Sequence, residues 1–220
     1  MHTADVTIVR RWAGNSERWV SAFLPAASRN SLIVAIVVMG SAVRERGHRR
    51  SDFDLLVIHR GKRPPIKPPV EVDIRFVSLE RINDQISKGH EVVGWALKFG
   101  SAIYDPEGIW RNLQQSWGDH IPLPSAAQAG ERGRQALARA AEMLDAEDES
   151  AADDLLLAAL TQFVRERLIR SDIFPASRPE LPDQLRDVDR NDPLARLLEK
   201  AMQEESSPRE LMSELKAMHR

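Results

Sequence analysis

The chain has 220 residues, 42% of them apolar, with 31 basic against 33 acidic side chains and a net charge of −2. That apolar content can fill one large core or two small ones, and the near balance of charge leaves no overall field to draw nucleic acid or a membrane surface. Cysteine is absent, which excludes disulfides and thiolate metal sites and points to a reducing, cytoplasmic setting. No apolar run reaches the length of a membrane span, and no signal-peptide layout is read at the N-terminus. Of the basic residues 25 are arginine and 6 lysine, and arginine is the better bidentate partner for phosphate.

From Ala4 to about Pro25 apolar residues recur at roughly helical spacing, broken near Gly14-Asn15, which predicts one or two amphipathic helices. Ser31 to Met39 is nearly continuous Val and Ile, the pattern of a central strand covered on both faces. Gly40 ends it, and Ser41 to Arg46 can open a short helix whose first N–H groups favour an anion. A second strand follows, carrying Asp52 and Asp54. Side chains alternate along a strand, so these two carboxylates share a face while Phe53, Leu55 and Val57 turn into a core. Like charges so close repel, and a hard divalent cation such as Mg²⁺ is what carboxylate oxygens hold together with substrate phosphates.

The proline-rich, basic connection 61–69 must be an exposed loop. VEVDIRFVS, residues 70–78, alternates again, with Asp73 on its polar side. If this strand pairs with the second, Asp73 joins Asp52 and Asp54 on one face, three carboxylates on two rigid strands. Residues 78–99 read as helix interrupted at Gly89, residues 101–104 as an edge strand, and Asp105-Pro106 as a helix start with Asp as N-cap. A composition shift at residues 120–125 sets a boundary near residue 122. Beyond it only helix starts are read, at Ser125, Ser150, Asp192-Pro193 and Ser207, with a proline-rich loop from Phe174 to Pro182. The expectation is an α+β chain: a small mixed-sheet domain with flanking helices over residues 1–121, then an all-α bundle over 122–220.

Gly40-Ser41, ten intervening residues, then Asp52-x-Asp54 inside an apolar strand, as in GSAVRERGHRRSDFDLLV, resembles the active-site signature of the DNA polymerase beta nucleotidyltransferase superfamily. Among its small members the stretch is most similar to the minimal and the aminoglycoside (kanamycin-type) nucleotidyltransferases, in detail over residues 32 to 78 and more loosely to residue 110. One departure is visible: Glu45 follows Arg44 where many members have glycine, and the glycine here is Gly47.

The resemblance implies an enzyme that moves a nucleoside monophosphate, AMP from ATP or the equivalent from another nucleoside triphosphate, to a hydroxyl of a small acceptor of the aminoglycoside kind, releasing pyrophosphate. It implies two Mg²⁺ ions held by Asp52, Asp54 and Asp73, and phosphate contacts from Gly40, Ser41, Arg44, Arg50 and Ser51. Arg46, His48 and Arg49 complete that basic turn. Glu131 and Glu142 are candidates for an acceptor base, with an exposed helix carboxylate the favoured reading; Arg165, Arg167 and Arg170 are given no catalytic role. His48 and His90 have no partner at a metal-ligand spacing. Two alternatives stand beside this reading: nucleotidylation of a protein or RNA in a toxin-antitoxin-type system, and a degenerate nucleotide-binding regulatory module. No membrane partner is expected, nucleic acid is the less favoured partner, and a homodimer is compatible with the sequence.

Overall fold

Ile33–Met39 forms a strand, β1, in which every residue is buried, because seven β-branched or apolar side chains in a row can pack on both faces of a sheet. The computed structural model describes residues 15–40, 43 and 53–218. It divides the chain into two compact units, Met1–Pro124 and Ser125–Arg220. No helix among the described residues is long and apolar enough to cross a membrane.

In the first unit, β1 is joined by β2 (Phe53–His59), β3 (Val72–Ser78) and β4 (Ser101–Tyr104). The strand order is β3-β2-β1-β4, with β1 antiparallel to both its neighbours and β2 parallel to β3. The parallel pair makes the sheet mixed, as expected, and its crossover is the unusual part, since such crossovers are usually helical. Here residues 60–71 make the crossover without a helix, the four prolines at 64, 65, 68 and 69 forbidding one.

Helix α1 (Asn15–Ala27) packs Val20 and Ala27 on one sheet face with Ile36, Val38, Phe53, Leu55, Val57 and Val72. The other face carries Val37, Met39, Leu56, Ile58 and Val77 and is covered by α2 (Leu79–Ser87), α3 (Glu91–Phe99) and α4 (Ile109–Trp117), through Ile82, Ile86, Val93, Leu97, Trp110 and Leu113. The expected interruption between α2 and α3 is real: Gly89 adopts φ +66, and a Cβ there would lie 2.4 Å from the Leu123 carbonyl oxygen. The expected start of α4 is not. Asp105 sits a turn too early to be its N-cap, and its carboxylate reaches forward instead, Oδ1 accepting from Trp110 N–H and Oδ2 from Arg111 N–H, each at 3.1 Å.

The second unit is entirely helical among its described residues: α5 (Ala126–Asp145), α6 (Glu149–Arg170), α7 (Leu181–Val188), α8 (Pro193–Gln203) and α9 (Pro208–Met218). Helices α5 and α6 pack closely because Gly133 leaves room for the Phe163 ring, which a Cβ would meet at 2.7 Å. Leu156, Leu160, Leu168, Leu185, Leu198 and Leu211 fill the centre of this unit.

Ser125 caps α5 by accepting from Gln128 N–H, Asp192 caps α8, and Ser207 with Glu210 forms a capping box. The predicted cap at Ser150 moves two residues back, to Asp148, whose side chain accepts from Ala151 N–H at 3.0 Å. Phe174 to Pro182 is likewise not all loop. Ser177 and Glu180 form a capping box over a short 3-10 turn, and Pro182 lies in the first turn of α7, where a missing N–H costs nothing.

Candidate active site at one end of the sheet

Three strands bring their ends together at one edge of the first unit. Met39, the last residue of β1, is paired with Asp54, the second residue of β2, and Asp54 is paired in turn with Asp73, the second residue of β3. Because the β2–β3 ladder is parallel and in register, Asp54 and Asp73 stand side by side on the same face, their backbones roughly 4.8 Å apart. It is the face of Leu56, Ile58 and Val77. The carboxylates therefore lie at the rim of an apolar layer, where charge interactions are stronger than in bulk water.

Gly40 is the next part. It follows β1 with φ +72, a conformation L side chains rarely hold, and a Cβ built on it would lie 2.2 Å from Asp54 Oδ2. The backbone thus approaches the carboxylate as closely as only glycine permits. Val43 N–H returns to the Gly40 carbonyl at 3.3 Å, and Val43 packs with the α1 side of the sheet.

Asp73 is 39% exposed at its side chain and forms an ion pair with Arg75, Nη2 to Oδ2 at 2.6 Å. Arg75 stands two residues further along the same strand. The i, i+2 spacing that brings them together was available in the sequence.

Asp52, Ser41, Arg44, Arg46, His48, Arg49, Arg50 and Ser51 lie outside the described residues. Among the described residues no group of three or more His, Asp or Glu side chains comes together to hold a metal ion, so what is assembled here is the pair Asp54 and Asp73. The pair suits a hard divalent cation: the donors are oxygens on adjacent rigid strands, and the Gly40 position is left without a side chain where one would fill the approach to Asp54.

The other candidates fall elsewhere. His90 precedes α3 at its N-cap position. Glu131 and Glu142 lie on α5. Glu131 accepts from Gln135 and Arg134, and these two partners, Gln135 first, hold its carboxyl below the usual range, which weakens it as a base. Arg167 pairs with Asp192 at 3.1 Å and Arg170 with Glu166 at 2.7 Å, structural uses within the helical unit.

Residues 20–106 match the family model for the nucleotidyltransferase domain. That stretch takes in all four strands together with Gly40, Asp54 and Asp73. No curated protein matches the chain. Among solved structures, a nucleotidyltransferase-like protein from Exiguobacterium sibiricum is similar over 88% of this chain and 69% of its own, at 13% identity and a TM-score of 0.42.

Proposed function

We propose that the chain is a magnesium-dependent nucleotidyltransferase that moves a nucleoside monophosphate, AMP from ATP, to a hydroxyl of a small acceptor, in the manner of the kanamycin-type enzymes. The observation that carries this is the in-register pair Asp54–Asp73 beside a glycine in a left-handed conformation, inside a stretch that matches the nucleotidyltransferase domain.

Asp54 and Asp73, with Asp52, would hold two Mg²⁺ ions, which when bound neutralise charge on the triphosphate and favour the deprotonated acceptor oxygen. Gly40, without a side chain, lets the backbone approach a phosphate. Ser41, Arg44, Arg50 and Ser51 are proposed to contact the remaining phosphate oxygens. The acceptor oxygen forms a bond to the α-phosphorus, the bond from that phosphorus to the bridging oxygen breaks, and pyrophosphate leaves with the electron pair. The acceptor proton passes to Asp73 or to water.

The test is transfer of labelled nucleotide. Purified protein with Mg²⁺, each of the four α-labelled nucleoside triphosphates and a panel of hydroxyl acceptors is expected to release pyrophosphate and label one acceptor class, and the Asp54→Asn protein is expected to do neither. Pyrophosphate release that survives in Asp54→Asn would remove the site from this end of the sheet.

A further inference from the structure

Asp73 and Asp54 face each other across one ladder position, and like charges so placed destabilise a sheet. Arg75 answers that cost from within the same strand. Two residues along β3 it shares the face of Asp73, and its Nη2 lies 2.6 Å from Asp73 Oδ2, with 60% of the arginine side chain and 39% of the aspartate exposed.

The carboxylate that Arg75 neutralises is one that the proposed function assigns to metal. A divalent cation on Asp73 brings two positive charges against the guanidinium, so the ion pair and the metal compete for one group. We propose that Arg75 is the resident counter-ion of Asp73: it stabilises the carboxylate pair when no metal is bound, and a divalent cation must displace it. The inference rests on the reading of Asp73 as a metal ligand and adds to it a positioning residue that sets metal affinity.

An exposed ion pair is weak, so it is closed only a few times more often than open, and the apparent metal affinity falls by the same factor, about two- to five-fold. Displacement also leaves a mobile guanidinium beside the place proposed for the triphosphate, where arginine pairs well with phosphate.

The probe is Mn²⁺ alone, titrated into the full chain and followed by the electron paramagnetic resonance signal of the free ion, with no nucleotide and no turnover. Arg75→Gln is expected to bind Mn²⁺ about two- to five-fold more tightly than wild type, by an advantage that shrinks as ionic strength rises. Arg75→Lys, which keeps the charge and can still pair, is expected to stay near wild type. Asp73→Asn is expected to weaken binding by at least about ten-fold, and adding Arg75→Gln to it should change nothing further, because the arginine acts through that carboxylate.

Binding by Arg75→Gln equal to or weaker than wild type overturns the proposal. So does an equal gain in the Asp73→Asn background, which would mark a general charge effect. If Asp73→Asn binds Mn²⁺ as wild type does, or wild type binds none, the reading of Asp73 as a ligand falls first and takes the inference with it. Each variant is expected to keep a single cooperative thermal transition, shifted by no more than loss of one exposed ion pair allows, which verifies that folding is not what is being read.

Discussion

The two ends of the same parallel ladder use acidic residues in opposite ways. At the His59–Ser78 end, Glu80 accepts from the Gly61 backbone N–H at 3.1 Å and from the Ser78 hydroxyl. There too Arg60 grips both oxygens of Glu107 at 2.8 and 2.6 Å, and Arg63 stacks on Phe76 at 4.0 Å. Acids at this end are consumed by backbone and hydroxyl donors or by a bidentate arginine. At the other end two carboxylates stand side by side, with Gly40 against Asp54 and the exposed Arg75 on Asp73. The first arrangement fixes a loop to a sheet. The second sets two like charges at neighbouring ladder positions, the arrangement that the proposed function reads as a metal site.

The comparison can be broken by exchanging roles. The largest effect is expected for Asp54→Asn, which keeps shape and removes charge. Transfer should fall by about 10³-fold, close to 4 kcal/mol of barrier, while any shift of the urea midpoint stays small, because Asn keeps the shape and can still accept hydrogen bonds. A clear loss of stability instead would make Asp54 a structural residue of the same kind as Glu80.

Gly40→Ala comes next. The added Cβ meets Asp54 Oδ2 at 2.2 Å with φ at +72, so urea unfolding should show a loss of about 1–2 kcal/mol, and displacement of the carboxylate should lower transfer by about 10²-fold. Stability lost without loss of transfer would separate the glycine from the site.

At the opposite end the effects belong to stability alone. The Ser78 hydroxyl, then backbone N–H groups including that of Gly61, pull the Glu80 carboxyl down to about 2 from 4.5. A folded-state value below the unfolded one stabilises the fold above pH 4.5 and is lost as pH falls toward 2. Glu80→Gln should therefore flatten that part of the acid limb in a urea-midpoint series against pH and leave transfer at neutral pH unchanged. An acid limb as steep as wild type's would place the shift elsewhere. The smallest change is expected for Arg60→Ala. Its partner Glu107 is held below its ordinary range chiefly by the hydrogen bond from Arg60, yet both groups are exposed, so the urea midpoint at neutral pH should move barely beyond error.

Much of the Asp54–Asp73 end of the sheet was legible because its signals are local. Seven apolar residues in β1, the alternation through Phe53, Leu55 and Val57, and Val72, Ile74 and Phe76 in β3 each declare a strand from neighbours two residues away. What escaped needed tertiary context. The face of Asp54 is not a polar face: Leu56 and Ile58 on it are buried under α2, α3 and α4, so only its first described residue carries charge. The mixed sheet was expected, but its parallel pair lacks the usual marker, because proline replaces the helix of such a crossover. The caps at Ser150 and Asp105 went astray for a simpler reason. Several side chains near a helix start can accept from its free N–H groups, and the choice between Asp148 and Ser150 depends on backbone geometry that composition does not record.

The pairing of Asp54 with Asp73 is fixed by the same ladder that pairs Leu55 with Ile74 and Val57 with Phe76. A slip of β3 by a single residue would turn Asp73 toward the buried side that holds Val72, and would turn Phe76 out of the core it now fills. The oily half of the strand thus proofreads the position of its acidic residue. Any chain that folds with this core intact has its two carboxylates already aligned, so the arrangement is inherited from hydrophobic burial and needs no attraction between the charges themselves.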